Sequence, residues 1–261
     1  MHQRTTTPPM LETIQLDQTF SPPNDALAGR VVLVTGAGQG LGRAAANAFA
    51  AHGAHVVLLG RTIAKLESVY DDIAAADLPL PALMPIDLMK CDQAQLDAIA
   101  LSIKKELGRL DGIFHAASAF ATTAPLHAVD LAMWEQQTRL HLNVPAALTK
   151  ACMPLLKRAP DASVVFLSET HAVEPRAYWG GFATAKAALA HLVAVWSDEA
   201  DNIAGTRFNL LLPGPVESPM RRKSHPAEAI GTNPSPKALA SGFVQVMAGL
   251  PTPLRGKLIR L

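Results

Sequence analysis

The chain has 261 residues, enough for one large α/β domain, and its 49% hydrophobic and 17% charged residues are those of an ordinary globular protein. A formal net charge of +1 removes the electrostatic case for nucleic acid or an anionic membrane as partner. Two cysteines, Cys91 and Cys152, with no CxxC and no His cluster at ligand spacing, argue against a disulfide framework or a metal site and favour a reducing, cytoplasmic setting. The N-terminal segment "MHQRTTTPPMLETIQLDQTFSPPND" lacks the apolar core of a signal peptide. Its Thr, Pro and Asp content predicts that residues 1–27 form an extension, loosely packed or partly disordered, before a domain over 28–261. No apolar run reaches the roughly 18 residues of a membrane span.

From residue 30 apolar β-type runs alternate with amphipathic helical stretches. "VVLVTG" (31–36) leads into a helix through "LGRAAANAFAAHG", and "AHVVLLG" (54–60) into a helix near 62–76. "ALMPID" (82–87) precedes a helix over 92–108. "DGIFHAA" (111–117), "ASVVFLS" (162–168), "TRFNLLLPG" (206–214) and "GKLIRL" (256–261) continue the series to seven strands. Strands apolar on both faces and joined by helices predict a parallel, doubly wound, Rossmann-like α/β domain. Right-handed crossovers then put the first strand–helix turn at the topological switch point, where such sheets bind ligands.

That turn is "TGAGQGLG" (35–42). Gly36 permits the tight bend, Gly40 lets backbone approach a phosphate, and Gly42 allows close helix packing. The helix N-terminus supplies free N–H groups to a diphosphate. The bland alternative is a glycine-rich turn that only shapes the backbone.

The spacing resembles that of the short-chain dehydrogenase/reductase family, and the layout is most similar to its YciK-type bacterial oxidoreductases. "LLGRTIAKLE", "IDL" and "YWGGFATAK" fall where that group's motifs would fall. The resemblance implies a seven-stranded sheet of order 3-2-1-4-5-6-7 with helices on both faces. It further implies homodimers or homotetramers, an NAD(P) cofactor, and hydride transfer between nicotinamide and a carbonyl or alcohol carbon. By position it assigns Gly36, Gly38, Gln39, Gly40, Leu41 and Gly42 to the cofactor, with Asp87 and Leu88, Ala116 and Ala117, and Pro213, Gly214, Val216 and Ser218. Arg61 stands where an NAD site would favour an acid; its fork of donors suits a 2′-phosphate, so NADP(H) is expected over NAD(H). Arg61 could also be a solvated helix-start arginine, and Asp87 a cap of the next helix.

The family's proton-transfer residues are Asn, Ser, Tyr and Lys. Lys186 matches the lysine, and Phe182, four residues earlier on the same helix face, occupies the tyrosine place. Counting back thirteen from Phe182 gives Glu169 for the serine, and counting seven on from Trp134 gives His141 for the asparagine. A one-residue shift would point Ser168 to the opposite face, so it replaces Glu169 only through a bulge; Asn143 needs a similar slip. Tyr178, eight before Lys186, is the remaining candidate for a substitute acid. His141 and Glu169 could form an acid–base pair, or Glu169 could pair with Lys186 or His141 and fill a dead pocket. Two readings follow: an oxidoreductase of small carbonyl compounds using an atypical acid, or an impaired pseudoenzyme serving as cofactor sensor or partner subunit. In the second, a Glu169 carboxylate would favour the oxidised, cationic nicotinamide. His115 and His171 read as strand-end or loop residues, and Trp134, Trp179 and Trp196 as packing. The basic run Arg221–Lys223 could attract an acidic substrate or be merely solvated. Small and apolar residues on helices 136–158 and 180–201 suit a subunit interface.

Overall fold

The structure, a computed structural model, describes residues 10–200 and 205–261. One parallel sheet runs through it in the order β1-β8-β7-β6-β5-β2-β3-β4. The strands are β1 (Glu12–Gln15), β2 (Val31–Thr35), β3 (His55–Gly60), β4 (Ala82–Pro85), β5 (Gly112–His115), β6 (Ala162–Leu167), β7 (Thr206–Leu212) and β8 (Lys257–Arg260). Strands β2 to β8 are the seven expected, in the expected order.

The eighth, β1, corrects the reading of the extension. Residues 1–9 lie outside the described residues, but the rest of the segment is packed. Glu12–Gln15 pairs in parallel with Lys257–Arg260 at the sheet edge, and the Lys257 ammonium meets the Glu12 carboxylate. Leu27 is fully buried and its N–H donates to the His52 carbonyl at 2.9 Å. The side chains of Ser241 and Gln245 donate to the Phe20 carbonyl at 2.8 and 3.2 Å. "ETIQ" has no apolar run because an edge strand with three exposed side chains needs none.

The helices are α1 (Gly40–Ala51), α2 (Ile63–Ala75), α3 (Gln93–Leu107), α4 (Leu131–Thr138), α5 (Val144–Leu156), α6 (Gly180–Ala200), α7 (Pro219–Ser224) and α8 (Ala240–Ala248). Strict alternation sends Val31 and Leu33 of β2 into one core and Val32 and Val34 into the other. Helices α3, α5 and α6 close the first face with Leu96, Ile99, Leu148 and Leu189. Helices α1, α2 and α8 close the second with Phe49, Leu66, Val69 and Phe243. Each such side chain contributes roughly 1.5–3 kcal/mol on burial, and Val164, Val165, Phe166 and Leu167 of the fully buried β6 add to the same two cores. None of the described helices is long and apolar enough to cross a membrane.

Two local features position the site. Between α4 and α5 the chain makes a π-helical turn, Arg139–Asn143, in which the Val144 N–H reaches back five residues to the Arg139 carbonyl. Pro145 has no N–H to offer the His141 carbonyl, so regular α-helical bonding could not continue there. The sheet, meanwhile, reverses its winding between β2 and β5, which opens a crevice beyond their carboxyl ends.

Candidate functional site

A cleft of about 230 Å³ lies in that crevice. It collects, from remote parts of the chain, Gly36 and Gly38–Gly42, Arg61, Asp87 and Leu88, Ala116 and Ala117, Glu169, Phe182, Lys186 and Ser218. Pro213, Gly214 and Val216 follow β7 on the approach to Ser218 but do not line it among the described residues. His141 and Tyr178 do not line it either.

The glycine-rich turn is shaped by close contacts. Gly36 has φ +68°, and a Cβ there would stand 2.8 Å from the Ala117 Cα. A Cβ on Gly42 would collide with the Gly36 carbonyl oxygen. The Thr35 hydroxyl accepts from the N–H groups of Ala116 and Ala117, both at 3.1 Å, locking the end of β5 against the turn. Gln39, which precedes α1, provides no side-chain cap, so the first-turn N–H groups are left for a partner in the cleft.

The outer rim carries cations. Arg61 is exposed and, among the described residues, has no acidic partner within salt-bridge distance. Beside it Lys65 donates to the Gln39 side chain at 2.5 Å, and Thr62 and Lys65 also line the cleft. The sequence reading missed both. Asp87 is not a helix cap: Asp92 caps α3 in a reciprocal box with Gln95, while Asp87 accepts from the Met89 N–H at 3.1 Å. Ser218 caps α7, its hydroxyl oxygen accepting from the Arg221 N–H at 3.0 Å, which leaves its own proton to donate.

At the inner end Lys186 is buried and donates to the Leu167 carbonyl at 2.7 Å; burial brings its ammonium down to about 8. Glu169 accepts from the His171 N–H at 2.9 Å through Oε2, while Oε1 is buried with no partner among the described residues. Burial pushes this carboxyl up, opposed by the His171 N–H and by the charges of His171 and Lys186. Ser168 also borders the cleft, its hydroxyl buried and unpartnered. Its N–H still bonds the Leu211 carbonyl at 2.8 Å, so the ladder extends one residue past β6. No bulge is needed, because at a strand end consecutive side chains can both border one opening.

The Phe182 ring forms part of the wall and belongs to an aromatic cluster. It packs edge-on to Phe120 at 5.6 Å and to His141 at 4.9 Å, with Trp179 at 6.2 Å. His141 is fully buried on the π-turn. The Ala119 N–H can only donate, so Nε2 accepts from it (3.2 Å) and from the Ser118 hydroxyl (3.1 Å). Nδ1 therefore carries the proton and donates to the Gln137 carbonyl at 3.0 Å. Burial and the Lys186 charge hold this imidazole neutral, well below its usual range. Its valences are filled by backbone and Ser118, so it forms no pair with Glu169. Asn143 is exposed, and the π-turn does not bring it to the cleft.

Tyr178 is 59% exposed, in a left-handed backbone conformation with φ +74°, and borders a separate small depression. This placement removes it from the candidate acids. His115 ends β5, stacks on Phe166 and bonds the Thr149 hydroxyl at 2.9 Å; burial and Lys186 take its pKa down to about 3. Two members of the basic run are internally used: Arg221 forks onto Glu228 at 2.8 and 2.7 Å and Lys223 donates to the Phe120 carbonyl at 3.0 Å, while Arg222 is exposed.

The family model for short chain dehydrogenases matches residues 30–229. The chain belongs to the short-chain dehydrogenase family. This short-chain dehydrogenase is 33% identical over 209 residues to the oxidoreductase YciK of Escherichia coli K12, covering 80% of this chain and 82% of YciK. A Pseudomonas syringae short chain dehydrogenase structure superposes with a TM-score of 0.90 at 36% identity, covering 94% of this chain and 99% of that one. A Shigella flexneri structure of the family, complexed with NADP, gives a TM-score of 0.87 at 30% identity over 91% and 99% of the two chains.

Proposed function

We propose that this short-chain dehydrogenase binds NADP(H) in the cleft and does not use the family's tyrosine-dependent proton transfer. The observation that carries the cofactor choice is Arg61: an exposed guanidinium with no acidic partner among the described residues, just after β3, beside the N-terminus of α1 that has no side-chain cap. A 2′-phosphate supplies the charge it lacks, and the NADP held by the Shigella relative supports the same choice. The residues present fit the dinucleotide, since the glycines at 36 and 42, where a Cβ would strike the backbone of Ala117 and of Gly36, hold the turn close to β5 and to itself and leave the first-turn N–H groups of α1 without a side-chain cap.

The dinucleotide, when bound, supplies or accepts hydride at its nicotinamide ring. The chain's residues have narrower tasks. First-turn N–H groups of α1 meet the diphosphate, Arg61 the 2′-phosphate and Asp87 the adenine. Lys186 spends one donor on Leu167 and keeps the others for ribose hydroxyls. Ser218 donates to the carboxamide. Phe182 has no proton to give, and losing a general acid typically costs about 10²–10⁴ in rate. Self-association through α5 and α6 belongs to the same reading, and a sedimentation experiment tests it.

Titration with NADP⁺, NADPH, NAD⁺ and NADH, followed by tryptophan fluorescence, tests the cofactor reading. Selective binding of the phosphorylated pair is expected. Binding of none of the four, or of NAD(H) with equal affinity, overturns it.

A further inference from the structure

Every change at the inner end of the cleft runs in one direction. A carbonyl that accepts hydride becomes an alkoxide, which needs hydrogen-bond donors and then a proton. Here the serine place holds the acceptor Glu169, the tyrosine place holds the apolar ring of Phe182, and His141 has both nitrogens committed elsewhere. A carboxylate beside a developing oxyanion is repulsive. The same groups suit a positive charge: an acceptor oxygen, Glu169 Oε1, buried without a partner among the described residues, and the aromatic ring of Phe182 in the wall of the same cleft. Lys186 does not satisfy that oxygen, because its ammonium donates to the Leu167 carbonyl and forms no contact pair with Glu169.

We propose that the inner end of the cleft is a subsite for a cationic nitrogen, the iminium or ammonium group of a compact organic substrate, held by Glu169 against the Phe182 ring. This rests on the dinucleotide reading above and adds the substrate class to it. The chemistry balances without the missing residues. With a reduced nicotinamide dinucleotide as reductant, one C–H bond breaks on the dihydropyridine and one forms at the iminium carbon. The C=N π pair returns to nitrogen, the dinucleotide is oxidised, the iminium is reduced to an amine, and no proton moves. The absent tyrosine is then absent for a reason.

The test is calorimetric binding of two ligands of one shape to protein saturated with NADPH at pH 7. One is 1,2,3,4-tetrahydroisoquinoline, protonated and unable to accept hydride; the other is neutral isochroman. The amine is expected to bind at least tenfold more tightly. Glu169→Gln should abolish the preference while still capping residues 170–172, since its amide oxygen can accept from the His171 N–H. Phe182→Leu, which keeps the wall apolar, should reduce the preference severalfold. Equal affinities, no binding of either ligand at millimolar concentration, or a preference that survives Glu169→Gln would overturn the subsite. Amine selectivity in a protein that binds no dinucleotide would sink the cofactor reading instead and leave the subsite standing. As a chemical check, 2-methyl-3,4-dihydroisoquinolinium should oxidise bound NADPH, and 1-tetralone should not; the reverse order refutes the substrate class.

Discussion

Arg61→Ala isolates the interaction on which the cofactor choice depends. The guanidinium is solvent-exposed at the mouth of the cleft and has no ion pair among the described residues, so its removal should break no internal bond. A charge-assisted hydrogen bond contributes about 1.5–3 kcal/mol. Exposure places Arg61 near the lower end, and Lys65, tied to Gln39 beside it, retains part of the attraction. A loss of about 1.5 kcal/mol corresponds to roughly tenfold weaker binding. NADP⁺ affinity should therefore fall about tenfold, and NAD⁺, which has no 2′-phosphate, should change less than about twofold. The salt dependence of NADP⁺ binding should flatten, because an exposed charge pair is screened by salt. Fluorescence titrations at two ionic strengths measure all three quantities. Equal weakening of NADP⁺ and NAD⁺ would show that Arg61 shapes the rim rather than reading the phosphate, and the reasoning would fail.

Gly36→Ala combines a positive φ, worth about 1–2 kcal/mol, with a Cβ 2.8 Å from backbone of Ala117 that no rotamer change can relieve. Thermal melting should show a loss of several degrees, and dinucleotide titration a much weaker site. Asp161→Asn leaves Arg207, whose side chain is 0% exposed, without the carboxylate it grips at 2.7 and 3.0 Å, and should cost about 3 kcal/mol. Burial alone would raise the Asp161 carboxyl, but Arg207 and Arg30 outweigh it and hold it below its ordinary value. Its contribution is thus present above the unfolded pKa and lost as pH falls through the folded one, so the acid limb of a stability–pH curve should flatten in the variant. Lys186 has the same sense in a higher window: its pKa drops from 10.5 to about 8, so the unfolded chain binds more protons between those values. Stability of the ligand-free protein should rise with pH across that window, and denaturant titrations of Lys186→Met should lack the rise. Phe182→Tyr alone should not produce a carbonyl reductase, because Glu169 still faces the oxygen. With Glu169→Ser added, NADPH-dependent ketone reduction should exceed that of the single variant by about 10²-fold or more.

The sheet was legible because its signal is redundant. Seven strands with both faces buried cannot avoid long apolar runs, and glycines in the first turn cannot be replaced where backbone meets backbone at Gly36 and Ala117. Much of the lining of the cleft was legible for the same reason, since Gly36, Arg61 and Ala116 follow directly on β2, β3 and β5, whereas Pro213, Gly214 and Val216 do not line it among the described residues. Strand β1 was not, because four residues on a sheet edge carry no apolar signature and owe their place to pairing with β8, some 245 residues away. Ser168 was misjudged by applying strand alternation one residue beyond the strand. Tyr178 failed for a different reason. It was a candidate only by its position eight residues before Lys186, but helix α6 begins only at Gly180, and Tyr178, in the turn before it, is 59% exposed.

His141 shows what a side chain gains by standing in a π-turn. A regular helix would satisfy its neighbours' backbone bonds locally and leave the imidazole to find partners. The π-turn instead lets Nδ1 reach the Gln137 carbonyl while Nε2 receives the Ala119 N–H and the Ser118 hydroxyl. The imidazole thus fastens α4 to the loop that borders the cleft, and its tautomer is fixed by those bonds. Protonating Nε2 would place two donors against each other, which burial and the nearby Lys186 charge already oppose. A histidine held in this way is rigid and neutral, and a proton relay requires the reverse. His141 therefore anchors the border of the cleft, leaving Glu169 and Lys186 as the titratable groups that line the inner cleft among the described residues.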